Sequence, residues 1–150
     1  MYELLVFIHI LGGLTWFGSG LFHQLHMNRL RASNGQAAVA AQFDSFAWSE
    51  KWIFVPAPLL VIATAITMVL VDDAWSFSQP WVYVSLALWV VAAIMGGAVG
   101  GKIMGQINET RERGGDVAPL VDRYLSLAWI DVAILVSLLA LMVFKPGLQV

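Results

Sequence analysis

The sequence predicts an all-α, polytopic membrane protein: a bundle of four transmembrane helices with a short cytoplasmic interfacial helix. Hydrophobic residues make up 59% of the 150 positions and charged residues only 12%, whereas a soluble domain carries about a quarter charged residues. Four apolar runs each approach the roughly 20 residues that a spanning helix needs. Strands of a membrane barrel would be about half as long and would alternate in polarity, which these runs do not. Residues 1–150 are therefore predicted to form one membrane domain.

The four predicted spans cover residues 4–25, 53–71, 81–104 and 125–144. Pro56 and Pro58 either open the second helix or kink its first turns. Between the first two spans, residues 36–48 carry apolar side chains at helical spacing. These are Val39, Phe43, Phe46 and Ala47. The pattern predicts a helix that lies along the membrane surface or packs under the bundle.

Basic residues predict how the chain is oriented. Seven of them lie between spans one and two or at the facing ends of spans three and four: Arg29, Arg31, Lys51, Lys102, Arg111, Arg113 and Arg123. The connection from Asp72 to Pro80 has none, and Lys145 alone lies on the opposite side. Because cytoplasmic loops carry an excess of Lys and Arg, both basic connections are predicted to be cytoplasmic and both termini external.

Charge and cysteine content exclude several functions. The net charge of −2 makes nucleic acid an unsuitable partner, so the lipid bilayer is the predicted one. The absence of cysteine removes disulfides, thiolate metal sites and cysteine nucleophiles together. No nucleophile–base constellation or phosphate-binding loop is visible either, which argues against an enzyme.

His9 is the polar residue that most strongly indicates a function. It lies well inside the first span, where an ionisable side chain is costly and normally faces protein or water instead of lipid. Trp16 and His23 follow at intervals of seven and share its helix face. At about 1.5 Å of rise per residue, His9 and His23 are roughly 21 Å apart and cannot share a ligand.

Two further polar sets are candidates. His23 and His26 are i,i+3 neighbours that could share a metal, although interfacial snorkelling is the favoured interpretation. Asp131 is the second intramembrane charge, at a depth that keeps it away from His9. Ser19 is predicted near its level, whereas three residues of spans two and three are predicted near the level of His9: Thr67, Met68 and Ser85. Interhelical hydrogen bonding without function is an equal alternative for all of them.

Glycines form a stripe in the third span that predicts close helix packing. The stripe comprises Gly96, Gly97, Gly100 and Gly101. Small residues at such spacing let two helix backbones approach in lipid. Intramolecular packing is favoured over a dimer face, and a groove for a flat cofactor is a third interpretation that the sequence leaves open.

One resemblance rests on short motifs. His9-x6-Trp16-x-Gly18 resembles the opening of a superfamily that includes the copper-resistance CopD family and the HemJ-type protoporphyrinogen oxidases. The chain looks more like a related bacterial four-helix family of predicted integral membrane proteins without an assigned function. The third-span pattern Trp81-x7-Trp89 and the closing segment from Leu141 to Pro146 carry that likeness, which implies a bacterial inner (plasma) membrane protein.

The resemblance also implies a cofactor. The first-span histidine of HemJ-type enzymes is linked to haem or porphyrin handling, and His9 matches it. Those enzymes carry a lysine and a histidine in the third span, and this chain has neither from Trp81 to Gly101, which speaks against their activity. A haem b would still find a chemically sound ligand pair in His9 and Met68, or His9 from each chain of a dimer.

Three functions follow as hypotheses. The favoured one is an accessory or structural membrane subunit. The alternatives are a haem-, porphyrin- or metal-binding redox protein that uses His9, and a protein that moves protons or small solutes by way of His9 and Asp131. A homodimer or a larger membrane complex is compatible with each.

Overall fold

The computed structural model describes residues 1–147 and all their side chains except those at positions 34 and 44–47. Its helices are α1 (Tyr2–Ser49), α2 (Pro56–Val71), α3 (Pro80–Ala93), α4 (Gly101–Glu112) and α5 (Ala118–Phe144). Two π-helical segments, Glu50–Phe54 and Ile94–Gly100, precede α2 and join α3 to α4. Residues 148–150, included in the predicted domain, lie outside the described part.

The predicted all-α bundle with four spans is confirmed. In the described part of the chain, four helical stretches are long and apolar enough to cross a membrane: Tyr2–Ser33, Glu50–Val71, Pro80–Glu112 and Ala118–Phe144. Large apolar side chains stay exposed along all four, such as Phe7, Leu70, Val90 and Val143. A soluble protein would not expose so much apolar surface, and lipid chains solvate it here.

Gly35 divides α1 into a membrane span and a separate second part. Its backbone adopts φ +77° and ψ −179°, a conformation that is open to glycine and strained for other residues. The second part packs under the bundle, because Val39 and Phe43 are almost fully buried there. Their core also contains Ile107 and Val121. The side chains of Phe46 and Ala47, which share the predicted pattern, lie outside the described residues.

The best-buried core therefore lies at one end of the bundle, which we call the basic end because it carries Arg29, Arg31, Lys51 and Lys102. Two polar contacts between helices lie at this end. Arg31 pairs with Asp122 of α5 at 2.8 Å, and Nη1 of Arg111 donates to the carbonyl oxygen of Ala40 at 2.9 Å. The four spans extend from this core toward the opposite end of the bundle.

The spans are not packed equally against one another. α1 packs along both α2 and α5, and α5 packs along α3, whereas α2 and α3 meet at few positions. α2 begins at Pro56, which has no backbone N–H to donate to the π-helical segment before it. The gap between α2 and α3 is important for the cavities described next.

Candidate functional site

His9 ties α1 to α2 through one edge of its ring. Its Nδ1 atom lies 3.1 Å from the carbonyl oxygen of Val61 and 3.1 Å from Oγ1 of Thr64. The Thr64 hydroxyl donates within its own helix, to the carbonyl oxygens of Leu60 and Val61 at 2.7 and 3.0 Å. Both neighbours of Nδ1 are thus acceptors, so Nδ1 carries the proton. The Nε2 lone pair has no donor among the described residues.

Gly12, one turn beyond His9, is a point of close approach between α1 and α2. A Cβ atom at this position would lie 3.1 Å from Cγ2 of Val61 and 3.6 Å from the carbonyl oxygen of Ala57. A larger residue would push the helices apart and lengthen the His9 hydrogen bonds. Gly12 and His9 therefore form one cross-helix contact, and the sequence did not single out Thr64 or Gly12 for this role.

His9 also lines a small cavity of about 80 Å³, which we call the small cavity. Ser85 supplies a hydroxyl to its wall, and the remaining lining is mostly aliphatic and aromatic. A water molecule takes about 30 Å³ in the liquid, so the small cavity holds a few waters at most. Of the residues predicted near the level of His9, only Ser85 lines it; Thr67 and Met68 do not.

The predicted polar residues other than His9 and Asp131 mostly bond to their own helices. Ser19 donates to the carbonyl oxygen of Thr15 at 2.6 Å, and Ser85 donates to that of Trp81 at 2.6 Å. Thr67 donates to the carbonyl oxygen of Ala63 at 2.8 Å. Such bonds satisfy hydroxyls in an apolar medium without joining helices.

A second cavity of about 300 Å³, the large cavity, lies nearer the basic end and is lined by all four spans. α1 contributes Trp16 and His23, and the segment leading into α2 contributes Glu50. α3 adds Trp89, and α5 adds Asp131. Trp16 and Trp89 line both cavities, so these two side chains lie between them. The volume of the large cavity is at the lower end of the roughly 300–1,000 Å³ that is typical of small-molecule pockets.

The glycine stripe forms part of the large cavity wall. Gly96, Gly97 and Gly100 line the cavity from the π-helical segment. Side-chain Cβ atoms at Gly96, Gly97 and Gly101 would meet no described atom within 4 Å. The predicted close approach to another helix of the same chain therefore does not occur at these three positions. Their missing side chains instead leave open space, and π-helical segments of this kind are frequent at functional sites.

Polar groups converge on one side of the large cavity. The rings of His23 and Tyr124 meet edge to face with centroids 6.4 Å apart, and Tyr124 lies within electrostatic reach of both Glu50 and Asp131. Oδ1 of Asp131 is buried and has no hydrogen-bond partner among the described residues. Buried polar atoms normally have a partner, so this oxygen of Asp131 has unused hydrogen-bonding capacity.

The rings of His23 and His26 contact different aromatic side chains. His23 lines the large cavity and contacts the rings of Phe54 and Tyr124. His26 is exposed and stacks on Phe22, with ring centroids 6.0 Å apart. No group of three histidine, cysteine, aspartate or glutamate side chains among the described residues could hold a metal ion.

Glu50 and Tyr124 were missed by the sequence interpretation. Both fall just outside the spans predicted to begin at residues 53 and 125, and the structure extends those helical stretches outward to include them. The signal that could have found Glu50 is its position as an acidic residue one turn before a long apolar run. Tyr124 directly precedes such a run in the same way.

Four apolar spans around a mainly apolar cavity with a few acidic groups define a small polytopic membrane protein. Residues 3–146 match the family described as a predicted integral membrane protein (DUF2269). The chain belongs to that family, which confirms the prediction of a membrane family without an assigned function. No curated protein and no solved structure matches the chain. The likeness to CopD and HemJ-type proteins stays a prediction.

Proposed function

We propose that this protein binds a small lipophilic molecule in the large cavity between its spans. The observation that carries the proposal is a cavity of about 300 Å³ lined by all four spans, with Asp131 on its wall. A mainly apolar pocket with a few convergent polar groups is the usual form of a small-molecule site. The glycine stripe supports the proposal, because it widens the cavity where side chains would otherwise fill it.

A purely structural role as an accessory subunit accounts for His9 better than for Asp131. His9 donates across the helix interface to Val61 and Thr64, as expected of a residue that orients helices. Asp131 makes no such bond from its buried Oδ1 atom, although a charge in a membrane is costly and normally paired. A role as a ligand-contacting group explains why an acid is placed there.

Haem binding at His9 receives little support from the residues present. The small cavity of about 80 Å³ is far smaller than a porphyrin, and Met68 does not line it. The large cavity offers His23 and Met104, but its described lining contains no Lys or Arg to pair with the carboxylates of a haem. Glu50 and Asp131 would repel those carboxylates.

Transfer of protons or solutes between His9 and Asp131 would have to pass two aromatic side chains. Trp16 and Trp89 line both cavities, and Nε1 of Trp89 is held by the carbonyl oxygen of Pro58 at 3.1 Å. Among the described residues of the small cavity, Ser85 is the one hydroxyl that could relay a proton from His9. The geometry therefore favours binding over transfer.

Equilibrium dialysis of the purified protein in a neutral detergent tests the proposal. The probe is tert-butylbenzene, and protein-free micelles correct for partitioning. We expect saturable binding at one site in the unchanged protein. Gly97→Leu adds a side chain at the wall of the large cavity and should weaken binding, because Gly97 lines the cavity and a Cβ atom there meets no described atom within 4 Å. Ala98→Leu is the matched control, since Ala98 is exposed and does not line the cavity. Equal binding by both variants contradicts the proposal.

The orientation is part of the proposal. The basic end is placed in the cytoplasm of a bacterial cell and both termini outside, as the distribution of Lys and Arg favours. The chain contains no cysteine, so single-cysteine variants report directly. We expect Ser78→Cys to react with a membrane-impermeant maleimide in intact cells and Glu112→Cys to react only after lysis. The reverse pattern contradicts this orientation.

A further inference from the structure

The charges on the large cavity wall are of one sign. Its described lining contains two carboxylic acids, Glu50 and Asp131, and two further titratable groups, His23 and Tyr124. No Lys or Arg lines it, although seven basic residues lie at the same end of the bundle. Neither acid forms an ion pair within the described residues. An anionic ligand would be repelled there, whereas a cation would find an unused counter-charge.

Aromatic rings line the same space. Trp16, Phe54, Trp89 and Tyr124 all contribute to the wall. The indole N–H of Trp89 is held by the carbonyl oxygen of Pro58, so Trp89 meets the cavity through the apolar part of its ring. Organic cations are attracted to the faces of Trp, Tyr and Phe rings, and this attraction strengthens when water is excluded. The aromatic rings and the carboxylates of the cavity wall therefore both favour an organic cation.

The rim of the cavity indicates where such a ligand enters. Val55 and Leu59 on the α2 side are exposed, as are Ala93 and Gly96 on the α3 side, and all four line the cavity. The rim therefore follows the gap between α2 and α3 and is apolar. A molecule arriving through it comes from the lipid and must carry an apolar body.

We propose that the large cavity is selective for a lipophilic cation, an organic ammonium group on an apolar body, with Asp131 as its counter-charge. The inference rests on the proposed function and adds the charge of the ligand to it. The ammonium group lies against Asp131 and the rings of Trp16 and Trp89, and Glu50 adds negative potential from the basic end of the cavity. The apolar body occupies the space left by the glycine stripe.

Three probes of similar shape and different charge test the inference. Phenyltrimethylammonium is a cation, tert-butylbenzene replaces its nitrogen with carbon, and benzenesulfonate carries a tetrahedral anion. Equilibrium dialysis as above measures each probe against the unchanged protein, Asp131→Asn and Ala98→Leu. We expect the cation to bind at least about tenfold more tightly than the neutral probe, and the anion not to bind. Asp131→Asn should weaken cation binding at least about tenfold, because truncating a partly buried charge pair removes the counter-charge.

Binding of the neutral probe separates the possible outcomes. If Asp131→Asn retains it within about twofold and loses the preference for the cation, the inference is supported and the variant is folded. If the unchanged protein binds the cation and the neutral probe equally, selectivity for a cation is refuted while the proposed function stands. If no probe binds saturably, the proposed function itself fails. Glu50→Gln should weaken cation binding less than Asp131→Asn, and the opposite order would overturn the assignment of the counter-charge.

Discussion

The cross-helix contact of His9 gives a prediction that separates a structural role from a ligand role. His9→Leu removes the donor to Val61 and Thr64 and puts an apolar side chain in its place. Both acceptors keep their hydrogen bonds within α2, so no buried carbonyl is left unsatisfied. Interhelical hydrogen bonds in membranes are worth about 0.6 kcal/mol on average and about 1.7 at most. We expect His9→Leu to lower the free energy of unfolding by about 1 kcal/mol.

The assay is SDS titration of the protein in mixed micelles, followed by the loss of helical circular dichroism. A double-mutant cycle with Thr64→Val should give a coupling energy of about 0.5–1 kcal/mol, because the two side chains share the contact. His9→Asn is a matched control, since its amide nitrogen lies near the position of Nδ1 and can still donate to α2. His9→Gln places its amide nearer to Nε2 instead.

The stabilities of His9→Asn and His9→Gln distinguish a structural role of His9 from a ligand role. A structural His9 requires His9→Asn to be more stable than His9→Gln, because only the first retains the donor to α2. Equal or reversed stabilities, together with no coupling to Thr64, would refute the assignment of Nδ1 as a cross-helix donor. Loss of probe binding in a stably folded His9→Asn protein would show that His9 has a ligand role that the geometry does not predict.

Three further predictions concern packing and are measured by the same titration. Gly12→Ala should be less stable than Gly13→Ala by about 1–3 kcal/mol through overpacking, since its Cβ atom would lie 3.1 Å from Cγ2 of Val61, whereas that of Gly13→Ala meets nothing within 4 Å; both variants gain the same helix propensity. Phe43→Ala removes an almost fully buried ring and should cost about 3–5 kcal/mol, whereas exposed Trp48→Ala should change stability by less than about 0.5 kcal/mol. Gly35→Ala should cost about 1–3 kcal/mol, because φ +77° with ψ −179° is a conformation that glycine alone adopts readily.

The spans could be predicted because lipid imposes a simple rule. Each needs about 20 apolar residues, whatever its neighbours are. Their ends were less predictable. The apolar criterion stops near residues 53 and 125, but the helical stretches extend to Glu50 and include Tyr124. Polar residues at the ends of spans face a cavity in this protein, and hydropathy does not record which direction a side chain faces.

The site could be predicted only in part, because the rotation of each helix about its own axis determines which side chains face one another. His9 and Asp131 were both recognised as costly intramembrane groups, and their separation in depth agrees with their places in different cavities. His9 forms its side-chain hydrogen bond with Thr64, three positions from Thr67. Depth in the membrane alone could not distinguish these two threonines. Packing was the favoured interpretation of the glycine stripe and a cofactor groove stayed open, because open space and close contact require the same residue type in a sequence.

Photolabelling shows directly whether a small neutral molecule occupies the large cavity. The purified protein is irradiated with a small neutral aryl diazirine, with and without an excess of tert-butylbenzene, and labelled residues are mapped by mass spectrometry. We expect competitor-sensitive labels on the cavity wall, at Trp16 and at the lining residues of the third span: Ala92, Ala93, Met95, Gly96 and Gly97. Labels confined to lipid-exposed positions such as Phe7 and Val143, and unchanged by the competitor, would contradict it.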